Sequence, residues 1–268
     1  MRPARYSRAT FGRSLVAKIL WITGAGKGIG KAVALAYAAH GWSVAVSART
    51  ESDLAAVSKE ALDAKLPGKI VGFPLDVIDH DAVKQTFKSI EADLGQIDQI
   101  IFNAGTHAPT PPTELSVQPF RTLMEVNYMG SVNGLDAVLP TLIDRKSGHV
   151  AIVASVAGYS GLPNAAAYGA TKAALINMCE SLKTQLDAFG VTISVINPGF
   201  VRTPLTDQNE FPMPFLMEPE DAAQAVFAGM EKGKFEISFP TPFVLILKFL
   251  RLLPYWLYFP LVKKMTKV

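Results

Sequence analysis

Tyr168 and Lys172 stand four residues apart in a stretch of helical pattern, residues 165–187, and Ser155 follows the apolar run 149–154, which reads as a strand. Residues four apart share one helix face. A phenol and an ammonium are therefore held side by side, near a strand end that carries a hydroxyl, and such a trio can pass a proton to or from an oxygen. A free tyrosine has a pKa of about 10, too high for an efficient base near neutrality. A lysine ammonium about 4 Å away, at an effective dielectric near 20, would contribute about 4 kcal/mol, or roughly three pKa units before desolvation is subtracted. The expectation is a Tyr168 pKa lowered by Lys172. A Tyr/Lys pair at this spacing is by itself a common helical pair, and a lone Ser is a cap or turn residue, so the chemistry rests on the three together.

The elements that must position this trio follow from periodicity. Residues 18–23 form a short apolar run that ends at a glycine cluster and leads into a helix-patterned segment. Strand, glycine turn and helix together point a helix amino terminus at a phosphate. The spacing is Gly24-x-x-x-Gly28-x-Gly30, because Ile29 occupies the place where a GxGxxG motif needs its last glycine. A second strand, 43–48, ends at Arg49, with Lys27 inside the glycine loop as a second positive charge. An acid at that strand end would repel a 2′-phosphate, whereas a guanidinium grips one with two hydrogen bonds. NADP is therefore favoured over NAD; in the competing reading Arg49 is solvated and Glu51 meets the ribose.

Residues 69–75 read as a third strand ending at Asp76 and Val77, and 99–102 as a fourth ending at Asn103, Ala104 and Gly105. Helical patterns at 51–64 and 79–94 separate them. Such alternation implies an α/β fold: one doubly wound, Rossmann-like domain with a parallel sheet of about seven strands, helices on both faces and ligands at the strands' carboxyl ends. A long helix over 120–139 carries Asn127 amid apolar neighbours, which alone reads as a packed side chain. Residues 191–196 form a sixth strand that leads to Pro198, Gly199, Val201 and Thr203, and 204–219, rich in Phe, Met and Pro, reads as a lid over the substrate.

With 268 residues, 49% hydrophobic and 18% charged, the chain can bury a large core as one domain. The net charge of +3 is loaded at the ends, on Arg2, Arg5, Arg8 and Arg13 and on Lys263, Lys264 and Lys267. No basic stripe interrupts the middle, which argues against a nucleic-acid partner. The only cysteine, Cys179, precludes an internal disulfide, favours a reducing, cytoplasmic compartment and reads as a core residue. No metal site is assigned. Residues 1–16 read as a disordered basic leader or an early start, without the apolar stretch of a secretory signal.

In order along the chain, Thr23–Gly30 with its three spaced glycines, Asp76-Val77, Asn103-Ala104-Gly105, Asn127, Ser155, Tyr168-x-x-x-Lys172 and Pro198-Gly199-x-x-x-Thr203 resemble the short-chain dehydrogenase/reductase family over roughly residues 18–239. The resemblance implies a catalytic domain over 17–240 and a nicotinamide cofactor. It places Gly24, Gly28, Ile29 and Gly30 at the pyrophosphate, Asp76 and Val77 at the adenine, and Asn103, Ala104 and Gly105 at the floor of the site. Pro198, Gly199, Val201 and Thr203 would face the nicotinamide. It makes Tyr168 the proton donor or acceptor, Lys172 the holder of the nicotinamide ribose, and Ser155 the partner of the substrate oxygen. Asn127 would hold a water in a relay from Lys172. The long helices 120–139 and 165–187 would pair in a homodimer. His107 follows the Asn-Ala-Gly motif and stays outside this set, since a solvated loop histidine explains it equally well.

The segment 241–268 is apolar and basic. Lys248, Arg251, Pro254 and Pro260 interrupt it, so it lacks the about 20 continuous apolar residues of a spanning helix. Two readings stand: a segment at the interface of a bilayer, or an extension buried over the cleft or at a subunit contact. Both suit a hydrophobic, lipid-like substrate such as an acyl chain, a sterol-like alcohol or a lipid carbonyl. The intact catalytic set favours an oxidoreductase over a non-catalytic dinucleotide sensor or scaffold attached through its tail.

Overall fold

The computed structural model describes residues 17–207 and 213–266; the basic leader expected over 1–16, the middle of the expected lid and Lys267 lie outside them. The continuous apolar runs become strands buried on both faces, as the interior of a parallel sheet requires. In β1 (Ile19–Thr23), β2 (Ser43–Ser47), β4 (Gln99–Phe102) and β5 (His149–Val153) every residue is buried. With β3 (Lys69–Gly72), β6 (Thr192–Pro198) and β7 (Glu236–Phe239) they form one seven-stranded sheet in the order β3-β2-β1-β4-β5-β6-β7, and every pairing is parallel. Trp21 sits in register between Ala45 and Ile100 at its centre.

Each parallel pairing needs a crossover, and the helices supply it. On one face α1 (Gly28–Ala39), α2 (Glu51–Asp63) and α7 (Pro219–Glu231) pack Val33, Tyr37, Leu54 and Val226 into a core. On the other, α3 (His80–Leu94), α5 (Gly130–Asp144) and α6 (Ala166–Ala188) bury Phe87, Leu142, Leu175 and Cys179. Burial pushes the Cys179 thiol up to about 12, so it stays a protonated core residue. The chain winds outward from β1 to β3 and then returns to place β4 on the other side of β1. Between β1 and β4 two crossovers leave in opposite directions, and ligands of doubly wound sheets bind outside the carboxyl ends at such a switch point.

Two elements differ from the pattern-based expectation. The third strand stops at Gly72 rather than continuing to residue 75. The helix expected over 120–139 is three pieces: α4 (Val117–Leu123), a π-helical turn at Met124–Met129, and α5. A π turn inserts an extra residue into the helix, and this one carries Asn127, which is fully buried. Beyond β7 the tail folds into α8 (Thr241–Leu252) and α9 (Tyr255–Thr266), whose Phe243, Leu247, Leu250 and Tyr258 join the second core.

Candidate active site

At the switch point the ends of β1 and β4 are tied together by one side chain. Asn103 Nδ2 donates to the carbonyls of Thr23 and Gly24, each at 3.0 Å, while Thr23 Oγ1 accepts from the Asn103 and Ala104 amides at 3.1 and 3.2 Å. The turn from Gly24 to Gly30 is thereby pressed against β4. A Cβ at Gly24 would lie 2.6 Å from Ala104 Cα, and one at Gly30 2.5 Å from Asn103 Nδ2, so neither position admits a side chain. Gly24 and Gly28 also hold φ of +65° and +56°. Lys27, the residue before α1, caps it with no side-chain hydrogen bond, and the helix has no acid in its first turn. Its amide donors therefore stay available to an anion. The two features, a side-chain-free turn and an uncapped helix start, fit a dinucleotide pyrophosphate.

Of the residues singled out from the sequence, Ile29, Asn103, Gly105, Ser155, Tyr168, Lys172, Pro198, Gly199, Val201 and Thr203 line one cleft of about 110 Å³. Gly24, Gly28 and Gly30 form its glycine turn, and Ala104 packs beneath that turn. Asp76 and Val77 lie beyond the end of β3, where Asp76 Oδ1 accepts from the Ile78 amide at 3.3 Å and the Val77 carbonyl accepts from Asn133 at 3.0 Å. Arg49 is exposed at the end of β2, whereas Lys27 forms an ion pair with Asp53 at 3.0 Å. That carboxylate neutralises the second of the two charges expected at the 2′-phosphate and leaves Arg49 as the one without a carboxylate partner among the described residues.

Ser155 caps the turn after β5: its Oγ accepts from the Ala157 amide at 3.1 Å and donates to the Pro198 carbonyl at 3.4 Å. On α6, Lys172 Nζ lies 5.5 Å from the Tyr168 ring centroid and donates to the Val153 carbonyl at 2.9 Å. The expected lowering of the Tyr168 pKa by Lys172 is not found. Burial pushes the phenol up and outweighs the hydrogen bond with Ser155, which pulls it down. The same dry surroundings push the Lys172 ammonium down to about 8. In a low dielectric each group is driven toward its neutral form, and the lysine's hydrogen bond goes to a backbone carbonyl rather than to the phenol.

Asn127 spends its side chain on the walls of the cleft. Its Nδ2 donates to the Thr106 carbonyl and to Thr171 Oγ1, at 3.0 and 3.1 Å, and its Oδ1 accepts from the Thr106 amide at 2.7 Å. Both amide hydrogens are thus held by protein, and neither is left to donate to the water relay read from the sequence. Replacing Asn127 with Ala leaves the half-buried Thr106 amide without its partner, and we expect a loss of about 1–2 kcal/mol in chemical unfolding. The pattern-based reading missed Thr106, Leu205 and Thr206, which also line the cleft. Thr206 Oγ1 donates to the Val201 carbonyl at 2.7 Å and accepts from the Thr203 amide at 2.9 Å, which fastens the start of the expected lid. His107, left outside the set, places its ring 4.9 Å from that of Tyr168. Burial, and then the nearby Lys172 charge, lower its pKa, so it faces the phenol as a neutral imidazole at neutral pH.

Residues 18–212 match the family model described as short chain dehydrogenase. The chain belongs to that family. An oxidoreductase of Myxococcus xanthus is 37% identical over 233 residues, covering 87% of this chain and 91% of its own. A 3-oxoacyl-[acyl-carrier-protein] reductase of Thermotoga maritima is 30% identical over 222 residues, covering 79% of this chain and 89% of its own. In fold, the chain is similar to a short chain dehydrogenase/reductase from Burkholderia phymatum solved in complex with NAD, with a TM-score of 0.79, 23% identity, and coverage of 88% and 94%. This short-chain dehydrogenase is accordingly an oxidoreductase with the Rossmann-like fold of its family. Among its described residues no helix is long and apolar enough to cross a membrane.

Proposed function

We propose that the protein is an NADP-dependent oxidoreductase that interconverts a carbonyl and a secondary alcohol on a hydrophobic, lipid-like substrate. The observation that carries this reading is the convergence of Ser155, Tyr168 and Lys172 on one cleft whose rim is the side-chain-free glycine turn. A nicotinamide cofactor, when bound, supplies or takes up the hydride. The chain's own residues handle the oxygen and the proton. Ser155 Oγ hydrogen-bonds the substrate oxygen and stabilises the charge that grows there. The Tyr168 hydroxyl delivers the proton to that oxygen, and burial, by raising its pKa, keeps it protonated at neutral pH, the state that carbonyl reduction needs. Lys172 holds the nicotinamide ribose, and Asn127 acts as a positioning residue that fixes Thr106 and Thr171 around it.

Gly28, Ile29 and the start of α1 take the pyrophosphate, Asp76 and Val77 the adenine, and Pro198, Gly199, Val201 and Thr203 the nicotinamide end. Exposed Arg49 supports NADP over NAD. Replacing Arg49 with Ala is expected to weaken NADPH binding about tenfold, or about 1.4 kcal/mol, with NADH binding unchanged, as read by cofactor fluorescence. Equal loss for both cofactors would remove the 2′-phosphate from Arg49's account. The similarity to a 3-oxoacyl-[acyl-carrier-protein] reductase supports a ketone on an acyl chain, at the 3-oxo position, as the first substrate to screen with NADPH. We place the enzyme in the cytoplasm as a homodimer paired through α4, α5 and α6, and in contact with a membrane surface through 243–268. Failure of both NADPH and NADH to bind the purified chain would overturn the enzymatic reading.

A further inference from the structure

The two tail helices are apolar on both sides. Their inner face, with Phe243, Leu247, Leu250 and Tyr258, is buried in the core. On the outer face Leu245, Phe249, Leu252, Tyr255, Trp256 and Phe259 are 61–82% exposed. A cluster of this size, with the Tyr255 and Phe259 rings stacked at 5.5 Å, is more than the scattered apolar exposure of an ordinary surface. Each helix has 12 residues, about 18 Å of length against a hydrocarbon core of about 30 Å, so neither can span a bilayer.

Charge decides what covers this face. From residue 241 to the end the sequence contains no Asp or Glu, but five Lys or Arg: Lys248, Arg251, Lys263, Lys264 and Lys267. Lys248 turns inward to pair with Glu236 on β7 and anchors α8 to the sheet. Arg251 closes α8 and Lys263 and Lys264 stand in the last turn of α9, without a carboxylate partner among the described residues. A two-fold contact through this face would bring the same patch of a second copy against it, and that patch offers cations and no acid to pair them. Aromatic rings bordered by unpaired cations instead match the interface of a bilayer that carries anionic headgroups.

We propose that residues 243–266 dock the protein on an anionic lipid bilayer, with Trp256 and its aromatic neighbours at the level of the headgroup–acyl boundary and Arg251, Lys263 and Lys264 on the lipid phosphates. This deepens the membrane contact in the functional reading above and rests on it. The docked face is joined to the catalytic cleft. Phe243, in the first turn of α8, stacks on Phe200 at 5.5 Å and meets Phe215 at 6.0 Å, and a Cβ on cleft-lining Gly199 would lie 2.9 Å from its ring. Tyr258 of α9 donates to the Gly161 carbonyl at 2.7 Å, in the loop that follows Ser155. Leu205, at the cleft, and Phe215 add exposed apolar surface beside it. An apolar carbonyl compound dissolved in the same bilayer has a short path to Tyr168.

The test is co-sedimentation of the full chain with vesicles of phosphatidylcholine containing about one-third phosphatidylglycerol, against pure phosphatidylcholine, at about 0.1 M and about 1 M salt. Tryptophan emission is read on the same samples. Trp21 and Trp42 are 0% and 5% exposed and Trp256 is 73% exposed, so a blue shift on binding reports Trp256. The expected result is binding to the anionic vesicles alone, reduced at high salt, with a blue shift that Trp256→Phe removes. The triple variant Arg251→Glu, Lys263→Glu, Lys264→Glu is expected to lose at least about tenfold in vesicle affinity. NADPH titration of both variants should match the parent, which separates docking from cofactor binding: a parent chain that binds NADPH but neither vesicle sinks only the docking proposal. No sedimentation with either vesicle overturns it, as does equal sedimentation with both that survives charge reversal. A dimer in sedimentation velocity that Phe249→Ser dissociates also overturns it, because a second copy would then own the face.

Discussion

Replacing Tyr168 with Phe is expected to lower kcat for carbonyl reduction by about 10²–10⁴-fold, the range for loss of a positioned general acid, while the Kd for NADPH in a fluorescence titration stays within about twofold, below about 0.4 kcal/mol. The substitution removes one oxygen from a side chain that α6 holds against the cleft, so packing changes little. Tyr168 neither ties the glycine turn to β4 nor supplies the amides at the start of α1; Asn103 and the backbone of Gly28 do. Loss of turnover with cofactor binding retained therefore assigns the phenol to proton transfer. The parent enzyme adds a directional check. Burial raises the phenol's pKa, so reduction, which needs the proton, should hold its rate across neutral pH, whereas oxidation of the alcohol, which needs the phenolate, should speed up as pH rises. An oxidation rate that falls with pH would remove Tyr168 as the base. A variant that loses turnover and NADPH binding together would instead show that Tyr168 shapes the cofactor site.

The central strands were legible almost to the residue because they are buried on both faces of a parallel sheet, whereas β3, at the sheet's edge and only partly buried, was read three residues too long. The expected runs 99–102 and 149–154 are the observed β4 and β5 to within one residue. Tyr168 and Lys172 were legible for a similar reason: a four-residue spacing on a helix settles their common face before any tertiary contact is known. Hidden features depend on partners far along the chain. The π turn around Asn127 is invisible to a pattern of apolar residues, since what stands opposite it is Thr106 and Thr171, 21 and 44 residues away. Glu236 accepts from Tyr159 at 2.5 Å and from Asn197 at 3.1 Å and pairs with Lys248, joining β5's exit, β6 and α8. No local spacing announces it. The ion pair of Lys27 with Asp53 is equally non-local, so charge counting near the glycine turn overstated the positive field there.

Lys172 carries the second large effect, and it has opposite signs for activity and stability. Burial lowers its pKa from a lysine's ordinary 10.5 to about 8. Below pH 8 the native state must hold a buried ammonium that the unfolded chain would solvate, at a cost of about 3 kcal/mol. The hydrogen bond to the Val153 carbonyl returns about 1 kcal/mol. Lys172→Met, of similar shape and without charge, is therefore expected to be more stable than the parent by about 2 kcal/mol at neutral pH, or about 4–8 °C in Tm, although it is inactive. The sign with pH follows from proton binding: between pH 8 and 10.5 the unfolded parent holds the Lys172 proton and the folded parent has lost it. The parent gains stability from this group as pH rises through that window, and the variant's advantage shrinks toward zero. Taking the difference between the two proteins cancels Tyr37, Tyr159 and Cys179, whose raised pKa values act in the other direction at alkaline pH. Thermal unfolding of both proteins from pH 7 to pH 10 measures it. A variant less stable than the parent at pH 7 would mean that the Val153 hydrogen bond outweighs desolvation. A gap independent of pH would mean that Lys172 keeps an ordinary pKa, and with it a lasting positive charge beside Tyr168.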